Sequence, residues 1–309
     1  MRAARPKQLT TILVAALMVV ASCASDVGDP DAPDNSSATT SPSPTTTGTS
    51  DAAESSTTTE TPSTTDGADA PAGDAVEGGE TVEDPYYPTI GNTGYDVVNY
   101  ELALQVQVEG NDVMNATATI DLTPLENLSR LSFDLVGMTV DAVTVDGAEA
   151  AFEQTAEKLR IFPKSSLQSG TPTVVVVDYS GNPDTIESGT RIGPIGWYDA
   201  VRASVAVGEP MGARTWFPVN DHPTDKATYR FVLNVPTGFV GVANGELVET
   251  VELDDGTISV WEMRQPMASY LATVAIGAFT LLDSEDGAGV DVYDAVATNE
   301  LDGFEGDFG

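Results

Sequence analysis

Over much of the chain, hydrophobic and polar residues alternate with a period of two. Tyr100, Leu102, Leu104, Val106 and Val108 share one face of an extended segment, and Met114, Ala116, Ala118, Ile120 and Leu122 repeat the pattern after Gly110, Asn111 and Asp112. Successive side chains of a strand point to opposite faces, so this spacing predicts two half-buried strands joined as a hairpin. Leu131, Phe133 and Leu135 alternate next. Val140, Val143 and Val145 lead into Asp146-Gly147, a dipeptide suited to the positive φ angles of a two-residue turn. Residues 159–162 and 173–177 read as further strands, the second apolar on both faces and therefore interior to its sheet. Beyond the Gly-rich residues 189–196, strands are expected over 227–235, 239–242 and 258–263, with a last apolar run at 270–282. No amphipathic helical pattern occurs between Tyr95 and Leu282. The expected fold class is mainly β, an antiparallel sheet or sandwich, and about 190 residues suffice to enclose a core.

The start of the chain breaks this pattern. Arg2, Arg5 and Lys7 precede an apolar run over residues 12–21. That run is about half the ~20 residues a membrane-spanning helix needs, so it reads as the core of a signal peptide. The tetrad Val20-Ala21-Ser22-Cys23 resembles a bacterial lipobox, which implies lipidation of the Cys23 thiol, cleavage before it and attachment to the cell membrane on its extracytoplasmic side. Residues 24–84 are mostly Thr, Ser, Pro, Ala, Gly and acids. Too few apolar side chains occur there to offset the entropy of ordering, so a disordered tether is expected. The expected organisation is a signal peptide over 1–22, a tether over 23–84, a β domain over 85–290, and an acidic linker without obvious elements over 291–309.

Charge narrows the partners. The 48 acidic and 13 basic side chains give a formal net charge of -35. An acidic surface repels phosphate backbones, which excludes nucleic acid, and it does not adhere to anionic lipid, so acyl chains would have to hold the protein at a membrane. Cys23 is the only cysteine, leaving the exported part without an internal disulfide or a thiolate zinc site. The only histidine, His222, lies in a turn between Asp221 and Pro223 and is expected to be surface polar. Trp197, Trp216 and Trp261 suit either core packing or sugar stacking.

One stretch is more specific. Glu209 precedes Arg214 by five residues, an aromatic-Pro step follows at Phe217-Pro218, and Asp221-His222-Pro223 comes next. Val242-Ala243-Asn244-Gly245 and the run Met267-Ala268-Ser269-Tyr270-Leu271, ending at Gly277-Ala278-Phe279, follow in order. Together these motifs resemble the N-terminal domain of the aminopeptidase N family of zinc metallopeptidases, over about residues 95–291. The resemblance implies a saddle-shaped β domain that caps the substrate site of a catalytic domain. That domain would carry zinc on a His-Glu-x-x-His motif, and it would pack on the β domain. With a single histidine, this chain is expected to bind no zinc itself and to be inactive alone, as the product of a truncation ahead of the catalytic half. The resemblance also implies a role for Glu209: holding the free α-amine of a peptide substrate by a charge-assisted hydrogen bond. Arg214 and Asp221 are expected in a buried polar cluster around the Phe217-Pro218 turn. The alternative is a stand-alone β module that binds peptides or glycans without catalysis.

Overall fold

A computed structural model of the chain describes residues 74–108, 113–189, 191, 193–200, 202–285 and 291–308; Cys23 and the signal-peptide reading lie outside them. The described residues are mostly strand. The largest sheet has eight strands, in the order Glu246–Glu252, Gly256–Ala268, Lys226–Pro236, Tyr95–Gln107, Val113–Pro124, Thr173–Gly181, Thr139–Val145 and Ala148–Glu149. The expected hairpin is there: Tyr95–Gln107 pairs antiparallel with Val113–Pro124, with Leu102 opposite Ala118. The Thr173–Gly181 strand is interior, between Val113–Pro124 and Thr139–Val145. Asp146 and Gly147 both take positive φ, 49° and 75°, closing the two-residue turn. In this sheet one pair departs from the antiparallel expectation: Lys226–Pro236 runs parallel to Tyr95–Gln107, because a long excursion through two smaller sheets separates these strands in sequence.

The first smaller sheet has the order Val76–Glu77, Leu128–Asp134, Lys158–Phe162, Ala151–Gln154. The second has five antiparallel strands: Thr185–Glu187, Pro194–Ala200, Ala203–Val207, Val274–Gly277 and Val240–Ala243. A continuous core joins the sheets. At its centre Trp216 lies 4.4 Å from Phe217 and 6.1 Å from Trp197, while Tyr100 stacks on Tyr229 at 5.2 Å. Trp197, Trp216 and Trp261 are all at most 1% exposed, so none is available to stack on a sugar. Truncating any one of these rings to alanine would cost about 3–5 kcal/mol.

Three expectations are corrected. Structure begins ahead of residue 85: Val76–Glu77 adds a parallel strand beside Leu128–Asp134, and Arg160 binds Glu80 through Nε at 2.5 Å and Nη2 at 2.9 Å. Composition reads this segment as tether because its anchors are backbone pairing and two arginines far along the chain. Past residue 291 the expected linker is partly folded. Asp291–Ala297 pairs with Phe279–Glu285, and a helix follows over Leu301–Phe308. His222 is 5% exposed rather than a surface residue, since the segment around Asp84 and Gly91 closes over its turn.

Candidate functional site

The Ala203–Val207 strand carries the chain to Glu209. Ser204 and Ala206 point into the core at 2% and 1% exposure, so Ala203, Val205 and Val207 face outward. The chain then turns sharply. A Cβ at Gly208 would lie 2.3 Å from the Tyr270 carbonyl oxygen, and one at Gly212 would lie 2.8 Å from that of Val207. Only glycine allows both approaches. The Gly212 N–H closes the turn on the Gly208 carbonyl at 2.6 Å, and the Glu209–Pro210 peptide is cis. Between these two glycines Glu209 is exposed, and among the described residues its carboxylate has no hydrogen bond or ion pair. It is thus free to accept from an ammonium donor.

Beneath this turn lies the expected polar cluster. A short 3-10 turn, Ala213–Thr215, buries Arg214, and Asp221 is fully buried. Asp221 accepts from the Arg214 backbone N–H at 3.3 Å and from the Ser269 hydroxyl at 2.7 Å. Arg214 Nη2 sits 3.7 Å from the Met211 sulfur, while its Nε and Nη1 have no hydrogen-bond partner among the described residues. Burial, reinforced by the nearby charge of Asp134, pushes the Asp221 carboxyl up to about 7.

The cluster extends to residues that no motif marked. Asp134 Oδ1 lies 2.7 Å from Lys158 Nζ, and its Oδ2 accepts from the N–H groups of Gly91 and Asp221, both at 3.1 Å. Lys158 also donates to the Gly91 carbonyl at 3.0 Å. Asn220 donates to Asp225 at 2.5 Å and from its backbone to Tyr100 Oη at 3.0 Å. Burial raises the Asp225 carboxyl to about 6. Asn92, whose side-chain amide donates to Asp134 Oδ2 at 3.0 Å, Asp134 and Lys158 come from three distant segments, so no local spacing could have grouped them. Their effect is to tie the chain at Asn220 and Asp221 to the first smaller sheet.

The same residues do not make a metal cage. Among the described residues there is no group of three or more His, Cys, Asp or Glu side chains able to hold an ion. His222 spends its ring nitrogens on Thr224 Oγ1 at 2.7 Å and Asp84 Oδ2 at 3.4 Å.

Residues 97–271, more than half of the chain, match the Peptidase M1 N-terminal domain. The chain belongs to this family. Among solved structures, the M1 zinc metallopeptidase of Deinococcus radiodurans bound to a Tyr-Ser-Ala substrate aligns with a TM-score of 0.66 at 28% identity, covering 71% of this chain and 51% of that one. A two-domain M1 zinc metallopeptidase bound to L-arginine aligns with a TM-score of 0.64 at 29% identity, covering 67% and 48%. Aminopeptidase M1 of Arabidopsis thaliana is 34% identical over 89 residues, 28% of this chain and 10% of the plant protein. The chain thus spans about half the length of the solved relatives and a tenth of the plant enzyme. Both Glu209 and the Arg214–Asp221 cluster lie inside the matched M1 N-terminal domain.

Proposed function

We propose that this M1 N-terminal domain is the substrate-capping part of a zinc aminopeptidase, in which Glu209 holds the free α-ammonium group of a peptide. The observation that carries the reading is Glu209 itself, an exposed carboxylate without a hydrogen bond or ion pair among the described residues, held out on a turn that only glycines can close. A carboxylate at the closed end of a pocket binds a peptide terminus and has nothing to offer an internal bond, which makes the cleavage exopeptidic. In this reading the metal and the hydrolytic step belong to a second half that packs on this domain. The lipobox-like residues around Cys23 support export and a lipid anchor, which would place the enzyme on the outer side of the cell membrane.

The test is Glu209→Gln in the protein together with its zinc-bearing half. Replacing a charge-assisted bond by a neutral one removes about 1.5–3 kcal/mol, so KM for aminoacyl substrates rises about 10- to 100-fold. An unchanged KM overturns the role.

A further inference from the structure

The eight-stranded sheet turns one face to the core and the other outward. On the outer face the strand register lines up Ile258, Asn234, Gln105, Asn115, Ser180 and Thr139 on six adjacent strands. Their chain neighbours Leu233, Leu104, Met114 and Tyr179 fill the core at 1% exposure or less, so the row itself points away from it. The side chains of Asn234, Gln105, Asn115, Ser180 and Thr139 make no hydrogen bond among the described residues. With about 4.8 Å between neighbouring strands, the polar row from Asn234 to Thr139 is about 19 Å long.

The surface is hollowed here. A cavity of about 450 Å³ opens over Asn234, Gln105 and Asn115, with Ala103, Val232 and Ile258 as its apolar lining. That volume lies within the ~300–1,000 Å³ of small-molecule sites. Its charge sets it apart from the rest of the chain. With 48 acids in 309 residues, the row holds no ionisable side chain. Two carboxylates flank it: Asp178, which accepts from the Thr117 hydroxyl at 2.6 Å, and the exposed Asp141. Two rows along the same face, Arg230 is spent on Glu101 at 3.1 Å and Glu262 at 3.6 Å. No Lys or Arg lines the cavity, so it offers nothing to a phosphate or a carboxylate.

We infer that this row binds an uncharged oligosaccharide. A primary amide sets N–H donors beside a carbonyl acceptor, and a sugar hydroxyl both donates and accepts, so Asn234, Gln105 and Asn115 match hydroxyl groups without any charge. Asp178 and Asp141 add acceptors at the flank and turn anionic sugars away. Ala103, Val232 and Ile258 suit the C–H face of a pyranose ring, in place of the aromatic platform that the buried tryptophans cannot supply. The amides recur once per strand, a spacing close to the length of one sugar ring, which favours a chain of sugars over a single one. An extended peptide is the poorer match. Each strand of the row has a neighbour on both sides, so no backbone edge is free to pair with one. The inference does not rest on the aminopeptidase reading, since the row shares no residue with the Glu209 turn.

The experiment is affinity electrophoresis of the 309-residue chain through native gels that hold hydroxyethyl cellulose, mannan, xylan or soluble starch, with polygalacturonate and plain gels alongside. At least one neutral gel should retard the chain. The double variant Gln105→Ala, Asn115→Ala removes two neutral hydrogen-bonding groups, so its dissociation constant in that gel should rise at least about tenfold. Both side chains are exposed, so the fold does not depend on them. Val174→Ala, on the same outer face but off the row, should bind as the wild type does. Retardation in none of the four neutral gels overturns the inference, as does retardation by polygalacturonate alone. Equal binding by the double variant overturns it too, because the sugar would then sit elsewhere. A neutral Gly-Ser-Thr peptide that binds the wild type and not the double variant, with no neutral gel retarding the chain, replaces the sugar by a peptide.

Discussion

The buried carboxyl of Asp221 makes stability depend on pH in a direction opposite to that of a salt-bridged acid. Burial first, then the charge of Asp134, raises it to about 7 from an ordinary 3.8, against the opposing pull of Ser269, the Arg214 N–H and the Arg214 charge. The folded state therefore keeps a proton that the unfolded chain releases near pH 4. Stability from this group is complete below about pH 4 and is lost as pH rises through 7; the interval between the two values corresponds to about 4 kcal/mol. Asp221→Asn keeps the shape and cannot ionise. Its amide can donate to the Ser269 hydroxyl while its oxygen accepts from the Arg214 N–H, so both existing contacts have a neutral equivalent. Denaturant unfolding, followed by the fluorescence of buried Trp197 and Trp216, would be measured from about pH 4 to about pH 8 in both proteins. Mutual repulsion of the 48 acids affects both proteins alike and cancels in the difference. The wild type should lose about 4 kcal/mol more than the variant over that range. Parallel curves would refute the reasoning: Asp221 would then be ionised throughout, with Arg214 as its counter-charge.

Two further predictions concern the turn and the anchor. Gly208→Ala drives a methyl group to 2.3 Å from the Tyr270 carbonyl oxygen, so it should destabilise the fold by about 1–3 kcal/mol, read as a lower denaturant midpoint; an unchanged midpoint would mean that the turn yields. If a lipid on Cys23 holds the protein, Cys23→Ser in cells should move it from the membrane pellet to the soluble extracytoplasmic fraction, and persistence in the pellet would rule that anchor out.

Most strand positions were legible because a half-buried strand writes its burial into every second residue. Val97 to Val108, Met114 to Leu122 and Lys226 to Pro236 show it plainly, with inward residues almost wholly buried. The Asp146-Gly147 turn was legible because few residues tolerate φ near 49° and 75° in succession. Glu209, Arg214 and Asp221 were singled out by one motif's resemblance to the aminopeptidase N family, and the burial of the last two follows from packing around Phe217.

What the amino-acid order determined by itself is local: the alternation of strands, the turn dipeptides, the acidity, and the glycines flanking Glu209. Each acts within a few residues of its own backbone. Only the tertiary structure decided that Lys226–Pro236 runs parallel to Tyr95–Gln107, that Glu80 is held by Arg160, that His222 is covered, and that Asp134 and Lys158 complete the cluster under Asp221. These pairings join residues tens of positions apart. Their partners are selected by which groups burial leaves in need of a hydrogen bond or an opposite charge, and that need arises only once the sheets have packed.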